Sequence, residues 1–265
     1  MNKEERAAKA YWDGVAAKYA RETRISTDAF HLGPLLPSAG RLGLLPRRLK
    51  GRRCLEIGCG GAQNSVFLAK RGAHCTAVDI AAAQVRQARA LARRERVALT
   101  LRCCPMDRIR TLGLGRFSFV HSVFALPFST DPESLLAAAA DLLRPRGTLL
   151  LSTAHPLFQG EWLELDREGP GLFLPEYFRP PVEARRGPAG FVRYRAWPIS
   201  TVTEWLRAAG LRLDRILEPA PLPLHAMRPA QIRRRVPYDG VAWRELYEKI
   251  ARVPIALVVL ARRAS

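Results

Sequence analysis

The sequence predicts an α/β fold, in which helices pack on both faces of a parallel, doubly wound sheet. Apolar runs of strand length alternate with helical segments along most of the 265 residues. The first such unit is the clearest, because Cys54 to Ile57 suits a buried strand and Ser65 to Arg71 has helical spacing. A glycine-rich turn separates the two, which is typical of a site where the backbone comes close to a ligand.

The other elements follow from the same patterns. Helices are predicted where apolar residues recur at three- and four-residue steps, or where strong helix formers such as alanine are concentrated. In chain order the predicted helices are 3–22, 65–71, 81–94, 132–143 and 200–209, the last with Ser200 as its N-cap. The predicted strands are 54–57, 74–79, 97–104, 117–124, 148–152, 211–218 and 255–261.

The glycine turn does not match the common nucleotide fingerprints. A dinucleotide-binding G-x-G-x-x-G counted from Gly58 requires glycine where Gln63 stands, so a nicotinamide-dependent dehydrogenase is disfavoured. The phosphate-binding pattern G-x-x-x-x-G-K-[ST] is also absent from the sequence. The turn instead has the form acid-x-Gly-x-Gly, made by Glu56, Gly58 and Gly60.

Two later strands end at residues with useful chemistry. The second predicted strand ends in Asp79, about 20 residues after Gly58, where a carboxylate can accept hydrogen bonds from both hydroxyls of a ribose. The fifth predicted strand runs into His155, at the edge of the sheet where ligands bind in open parallel sheets. These positions and the glycine turn are expected to share one edge.

Composition limits the class of protein. A hydrophobic fraction of 48% supports a sizeable core. The charged N-terminus and the short apolar runs predict neither a secretory signal nor a membrane span, so a soluble cytoplasmic protein is expected. With no C-x-x-C pattern, Cys54, Cys59 and Cys75 are expected to be buried thiols rather than metal ligands.

The chain is strongly basic, with 43 Lys and Arg against 24 Asp and Glu and a formal charge of +19. Such a field favours anionic partners, nucleic acid among them. The basic residues are scattered, however, and the longest run is the triplet Arg233–Arg235. A solvated surface is therefore favoured over a nucleic-acid footprint.

Taken together, the motifs resemble the class I S-adenosylmethionine-dependent methyltransferases, of the bacterial type that acts on small molecules. That family has an acid-x-Gly-x-Gly first motif, usually followed by glycine at the position of Ala62, and an acid at the end of the second strand. The segment 143–147 resembles the LRPGG turn that precedes the fifth strand of the family. The resemblance covers roughly residues 5–218 and the final strand. It implies a Rossmann-like sheet of seven strands with the last one antiparallel.

The resemblance also implies S-adenosylmethionine as the methyl donor, S-adenosylhomocysteine as the product and no metal. Glu56 is expected to hold the amino-acid end of the cofactor, and Asp79 its ribose. Met106 and Asp107 are expected to hold adenine, and the carbonyl of His121 the α-amino group. The complete set of expected cofactor contacts is Tyr11, Glu56, Gly58, Cys59, Gly60, Asp79, Ile80, Met106, Asp107 and His121.

Four residues are candidates for the acceptor side. His155 is the first candidate for a general base or an orienting group, because the ordinary pKa of histidine is about 6.5; the alternative is a turn histidine bonded to the backbone. Tyr19, on the predicted N-terminal helix, either reaches the reactants or belongs to an ordinary apolar stripe. Phe30 and His31 lie in a loop resembling one that lines the substrate mouth in relatives, although a lone loop histidine is often incidental.

Two inserts are predicted to interrupt the core, and a helical lid precedes it. Aromatic residues among many prolines and glycines suggest that the first insert is a cap over the substrate. The segments are 1–50 (N-terminal helical lid), 51–155 (cofactor-binding core), 156–198 (cap insert), 199–218 (core continued), 219–253 (second insert) and 254–265 (final core strand).

The predicted function is methyl transfer from S-adenosylmethionine to a small organic acceptor, by in-line displacement under the cap. The positive charge allows that acceptor to be anionic. Two alternatives stay open at this point. One is an RNA methyltransferase of the tRNA type, favoured by the charge, and the other is a non-catalytic relative that binds the cofactor.

Overall fold

The computed structural model describes residues 1–165 and 169–264. Its strands are β1 (Arg53–Ile57), β2 (His74–Asp79), β3 (Leu99–Cys103), β4 (Phe117–Val123), β5 (Leu143–Ala154), β6 (Glu161–Leu165), β7 (Gly169–Phe173), β8 (Glu183–Gly187), β9 (Gly190–Tyr194), β10 (Leu211–Leu217) and β11 (Ala256–Arg263). Its α-helices are α1 (Lys3–Thr23), α2 (Gln63–Ala69), α3 (Ala82–Arg94), α4 (Pro132–Asp141), α5 (Ile199–Ala208), α6 (Pro229–Arg235), α7 (Val241–Glu245) and α8 (Tyr247–Arg252).

Seven strands form the central sheet in the order β3-β2-β1-β4-β5-β11-β10. The pairs β2–β3, β1–β2, β1–β4 and β4–β5 are parallel, whereas β11 is antiparallel to both β5 and β10. The predicted seven-stranded, Rossmann-like sheet with an antiparallel last strand is confirmed. Strand order reverses between β1 and β4, and the crevice outside such a switch point is where ligands bind in this architecture.

The two faces of the sheet are covered by different hydrophobic clusters, because successive residues of a strand point to opposite sides. Leu150 of β5 packs in one cluster with Phe67 and Leu68 of α2. Leu149 and Leu151, its neighbours in sequence, belong to the other cluster, which includes residues of α4 and α5. The same alternation occurs on β1, β4 and β11, so the sheet is apolar on both faces and the doubly wound arrangement follows.

Helix α1 begins at a capping box in which Asn2 accepts from the backbone of Glu5 and the Glu5 side chain accepts from the backbone of Asn2. The helix docks beside the start of α3, where Oδ1 of Asp13 accepts from the backbone N–H of Ala83 at 2.7 Å. A bidentate pair of Glu5 with Arg108 fixes its N-terminal end, with nitrogen–oxygen distances of 3.2 and 3.0 Å. Helix α1 therefore lies over the carboxyl edge of β2 and β3.

The segments after β5 and β10 carry small elements outside the main sheet. Residues 156–198 contain the hairpins β6–β7 and β8–β9, and residues 219–253 contain α6, α7 and α8. The prediction of Ser200 as the N-cap of α5 was wrong, because Pro198 is the N-cap and the helix begins at Ile199. Within the described residues, no helix combines the length and apolar character that a bilayer crossing requires.

Candidate active site

A deep crevice opens at the carboxyl edge of the sheet, at the switch point between β1 and β4. Its walls come from the glycine turn, the ends of β2 and β4, the segment after β3, the loop after α1, and α1 itself. The empty space, including the solvent-open mouth, is about 980 Å³. The structure thus brings the motifs singled out in the sequence to one edge.

The glycine turn has a backbone conformation that explains its composition. Gly58 has a φ of +68°, and a Cβ at this position would overlap the Cβ of Ala125. Gly60 also lies in the left-handed region, with a φ of +51°. Ala62, where relatives usually carry glycine, still adopts a φ of +57° and precedes α2 as its N-cap. The turn therefore keeps the conformation of a close-approach loop despite the alanine.

Glu56 is a buried carboxyl in the floor of the crevice, only 4% exposed. Its Oε2 accepts from the backbone N–H of Ser65 at 3.0 Å. Burial raises the pKa of Glu56 to about 7. Its Oε1 lies 4.0 Å from Nδ1 of His121, but burial lowers the pKa of His121 to about 3, so the two form no ion pair. The carboxyl is left to interact with a cation in the crevice.

Asp79 joins the end of β2 to the glycine turn. Its Oδ2 accepts from the N–H of Gly60 at 2.8 Å, and its Oδ1 accepts from the N–H of Ala81 at 2.9 Å. Burial raises the pKa of Asp79 above its ordinary value, partly offset by these hydrogen bonds. A carboxylate has about four acceptor positions, so two are left for hydroxyls of a ligand. Cys59 and Ile80 line the crevice on either side of it.

Met106 and Asp107 follow β3 directly and line the crevice. The Asp107 carboxylate accepts from the hydroxyl of Ser129 at 2.5 Å, and from the N–H and hydroxyl of Thr130 at 3.0 and 2.8 Å. These bonds hold the carboxylate in place and leave it about one acceptor position. The side chain is thus preoriented toward a single donor such as an exocyclic amine.

The N-terminal helix contributes Trp12 and Tyr19 to the crevice, not Tyr11. The Tyr11 ring instead packs on the β8–β9 hairpin, where a Cβ at Gly187 would lie 2.6 Å from it. The Trp12 ring lies 5.1 Å from that of Phe128, edge to face, and both line the crevice. Consecutive helical residues point about 100° apart, so only one of Tyr11 and Trp12 can face the crevice.

Of the two candidate residues in the following loop, the structure brings only one to the crevice. His31 lines it and is 8% exposed, and its Nδ1 is buried with no hydrogen-bond partner in the described part of the chain. Phe30 is fully buried in the core, with its ring 6.1 Å from Phe67 and 5.0 Å from His121. The expectation that Phe30 lines the substrate mouth is therefore not supported.

His121 and His155 also lie away from the expected positions. His121 lies two residues before the end of β4, and in the strand register it stands opposite Glu56 of β1 and Leu150 of β5. The crevice is lined instead by Val123 and the two residues that follow it. The Nδ1 of His155 accepts from the N–H of Leu157 at 3.2 Å, so its Nε2 carries the proton and donates to Glu218 at 2.7 Å.

Because both nitrogens of His155 are engaged and the residue does not line the crevice, the structure gives it no access to a substrate there. Burial lowers its pKa, an effect opposed by Glu218. The alternative of a turn histidine bonded to the backbone describes it better.

Several lining residues were not predicted from the sequence. Phe124, Ala125 and Phe128 follow β4, and Glu5 lies on α1. They were missed because the sequence pattern located the strand and the helix but not the side chains beyond their ends. An apolar pair directly after a predicted fourth strand would have been the usable signal.

A glycine turn after β1, a buried acid at the end of β2 and a preoriented acid after β3 define a nucleoside-binding site of the Rossmann-like class. The arrangement suits S-adenosylmethionine in particular, because the buried carboxyls of Glu56 and Asp79 can meet a cationic amino group and two ribose hydroxyls.

Comparison with known proteins agrees with this class. Residues 55–151 match the family model described as a methyltransferase domain. The ubiquinone biosynthesis O-methyltransferase of Xanthomonas axonopodis pv. citri (strain 306) is 31% identical over 177 residues, covering 66% of this chain and 69% of that enzyme. The counterpart in Xanthomonas campestris pv. campestris (strain B100) is 32% identical and covers 63% and 65%. The chain thus spans about two thirds of the length of these relatives.

Solved structures show the same fold. An S-adenosylmethionine-dependent methyltransferase from Mesorhizobium loti superposes with a TM-score of 0.64 at 23% identity, covering 84% of this chain and 96% of that one. A Burkholderia thailandensis 1,6-didemethyltoxoflavin-N1-methyltransferase, solved with S-adenosylhomocysteine, has a TM-score of 0.50 at 20% identity, covering 86% and 75%. The chain belongs to the class I S-adenosylmethionine-dependent methyltransferases.

Proposed function

We propose that this methyltransferase acts on a small, uncharged organic acceptor with an aromatic ring. The observation that carries the proposal is the lining of the crevice, which combines the aromatic side chains of Trp12, Phe124 and Phe128 with four carboxyl groups. Among the described residues, neither lysine nor arginine lines it. An anionic acceptor would find no lysine or arginine in this lining to pair with, so the lining argues against the anionic acceptor that the net charge allows.

The cofactor roles of the lining residues are part of the same proposal. Glu56 would hold the amino-acid end, and Asp79 would accept from the ribose hydroxyls with the positions that Gly60 and Ala81 leave free. Met106 would contact the adenine ring, while Asp107 would accept from its amino group. These roles are supported by the order of the residues along the crevice, from β1 through β2 to the segment after β3.

When bound, S-adenosylmethionine supplies a methyl group on a positively charged sulfur that is itself the leaving group. The protein therefore has to align the acceptor and exclude water rather than activate the donor. Helix α1 covers the crevice with Ala8, Trp12 and Tyr19, and this cover can both align the acceptor and exclude water. We propose that the segments 1–50, 156–198 and 219–253 together form this cover, with the other predicted segments as the core.

The relatives from Xanthomonas are named as O-methyltransferases, which supports oxygen as the accepting atom. A hydroxyl on a ring fits an aromatic crevice with polar groups at its ends. The reaction is proposed to need no metal, which an assay with and without a chelator tests directly.

The proposed function is tested by transfer of a labelled methyl group from S-adenosylmethionine to a panel of uncharged phenols, ring carboxylates and bulk tRNA. We expect product with phenols and none with tRNA. Binding of the cofactor with no transfer to any acceptor in the panel would contradict the proposal and point to a non-catalytic relative. Transfer to tRNA alone would point to the alternative below.

The alternative of an RNA methyltransferase is supported by one observation, the formal charge of +19. Phosphate contacts make RNA binding fall steeply with salt. Titration with tRNA at 50 and 200 mM salt would favour this alternative if tight binding at the lower salt were lost at the higher one.

A further inference from the structure

Three polar rings pack together beside the crevice: two of them line it, and the third, from a distant part of the chain, packs against those two without lining it. Tyr19 of α1 and His31 of the next loop line the crevice. Tyr238 lies between α6 and α7 in the second insert, and is 4% exposed. Its hydroxyl is hydrogen-bonded to that of Tyr19, and its ring centroid lies 5.4 Å from that of His31. We call these three residues the ring cluster.

The backbone around Tyr238 is hydrogen-bonded to both segments that carry the other two rings, the loop with His31 and helix α1 with Tyr19. The carbonyl of Tyr238 accepts from the N–H of Leu35 at 3.0 Å, in the loop that contains His31. The N–H of Asp239 donates to the carbonyl of Thr23, the last residue of α1, at 3.1 Å. The second insert therefore sets the position of the Tyr238 hydroxyl relative to both Tyr19 and His31.

The hydroxyl pair keeps free hydrogen-bonding capacity. One tyrosine donates to the other, so one O–H of the pair is left for a ligand. The Tyr238 hydroxyl is also engaged by the Trp243 side chain, so the capacity that remains free is chiefly that of Tyr19, which lines the crevice. The buried Nδ1 of His31 has no partner within the described residues. A buried polar atom without a hydrogen-bond partner is destabilising, so a polar group bound beside this nitrogen would be favoured.

We propose that Tyr19 and His31 of the ring cluster bind the hydroxyl group of the acceptor, and that Tyr238, supplied by the second insert, is a positioning residue that orients the Tyr19 hydroxyl toward a phenol-type acceptor. The inference rests on the proposed function, and it adds the residues that recognise the acceptor and the atom they recognise.

The cluster is suited to orient a hydroxyl rather than to remove its proton. Burial raises the pKa of both tyrosines above the ordinary value and lowers the pKa of His31 to about 3. All three rings are therefore neutral near pH 7 and act as hydrogen-bond partners. An uncharged hydroxyl satisfies such partners without bringing a charge into the crevice.

The test uses the full chain saturated with S-adenosylhomocysteine and two probes, catechol and 1,2-dimethoxybenzene, which lacks hydroxyl protons. Binding is measured by calorimetry or ligand-observed NMR. We expect wild type to bind catechol at least tenfold more tightly than dimethoxybenzene. Tyr238→Phe, which removes one hydroxyl, is expected to weaken catechol binding about fivefold and to leave the affinity for S-adenosylhomocysteine within twofold.

Two further variants complete the test. Tyr19→Phe removes the other hydroxyl of the pair and is expected to have the same effect, so it replaces Tyr238→Phe if that variant does not fold. Tyr177→Phe, in the first insert, removes a hydroxyl outside the cluster and is expected to bind catechol like wild type. Unchanged catechol binding in both cluster variants, or no preference for catechol over dimethoxybenzene, would overturn the inference. Failure of wild type to bind S-adenosylhomocysteine would instead overturn the cofactor assignment.

Discussion

At the scale of single residues, Gly58 has two reasons to be glycine that can be separated by experiment. Its φ of +68° is strained for any other residue, and a Cβ would collide with Ala125. Gly51 shares the first reason but not the second, because its φ is +73° and no atom lies within 4 Å of an added Cβ. The two glycines therefore form a matched pair.

We expect Gly58→Ala to lower the free energy of unfolding by about 2–4 kcal/mol, from left-handed strain and overpacking together. Gly51→Ala should lose about 1–2 kcal/mol from strain alone. Chemical denaturation measures both losses, and calorimetry should show weaker cofactor binding only for Gly58→Ala. Equal losses in the two variants would show that the contact with Ala125 does not matter.

Glu56 predicts a pH dependence of cofactor binding. Because burial raises its pKa to about 7, the carboxyl becomes protonated as the pH falls below 7 in the free enzyme. A cationic amino group beside it favours the carboxylate, so binding should release a proton and weaken as the pH falls. Between pH 7 and 5.5, where the amino group of the cofactor stays charged, we expect about a tenfold loss of affinity.

Calorimetric titrations in buffers of different ionisation heat measure both the affinity and the proton release. Glu56→Gln keeps an oxygen that can accept from Ser65 but cannot titrate, so its affinity should be flat over this range. A flat profile for the wild-type enzyme would show that Glu56 does not face the cationic end of the cofactor.

His155 is expected to stabilise the end of β5 without taking part in the reaction. Its ring links Leu157 to Glu218, the residue after β10. His155→Ala should lower the free energy of unfolding by about 1–3 kcal/mol, because two hydrogen bonds worth about 0.5–1.5 kcal/mol each are lost. The turnover number of the folded fraction should stay within twofold of wild type. A loss of turnover at unchanged stability would restore the role of general base.

At the scale of elements, helix α1 is held over the crevice by polar contacts near its first half. The carboxylate of Asp13 accepts a hydrogen bond from the backbone N–H of Ala83, at the start of α3. We expect Asp13→Ala to loosen the helix and raise the dissociation rate of S-adenosylhomocysteine about fivefold, measured by stopped-flow tryptophan fluorescence.

Glu22→Ala is the control for α1, because Glu22 lies on the same helix and forms only an exposed pair with Lys18 at 3.9 Å. Its dissociation rate should match wild type, since exposed ion pairs contribute little. A rate for Asp13→Ala equal to that of the control would mean that the helix does not limit release of the product.

Elements differ in how far the sequence predicts them. The structure brings the glycine turn and Asp79 to the crevice, as their spacing and the strand–turn–helix order led us to expect, because these are local features. On α1 the helix was predicted but its rotation was not, so Tyr11 was expected where Trp12 lies. Tyr238 had no signal at all, since it meets Tyr19 across 219 positions of sequence and only tertiary packing brings them together.

The directions of the histidine side chains were also not predictable from the sequence. A strand end predicts which edge of the sheet a residue approaches, but not whether its side chain faces a ligand or the core. His121 and Phe30 contact each other in the core, and His155 is engaged by Glu218. Only His31 reaches the crevice, and the resemblance of its loop to a substrate mouth was the signal that singled it out.

At the scale of the whole molecule, the overall charge and the crevice have opposite signs. The chain carries +19, yet the crevice is lined by Glu5, Glu56, Asp79 and Asp107. Charges on the surface are screened over about 8 Å at physiological salt, whereas carboxylates in the crevice lie against the ligand. Contact electrostatics should therefore decide which acceptor binds, and the surface field should affect only how fast charged molecules arrive.

This contrast predicts that the ratio of kcat/KM for two acceptors depends on salt. The two acceptors, catechol and 3,4-dihydroxybenzoate, differ in one carboxylate. At 150 mM salt we expect kcat/KM to favour catechol at least tenfold, because the carboxylate must enter a crevice lined by acids. At 10 mM salt, where screening extends to about 30 Å, the positive surface attracts the anion and the ratio should narrow. A ratio that favours the benzoate at both salt concentrations would show that the surface charge selects the acceptor, and would contradict the uncharged class proposed for it.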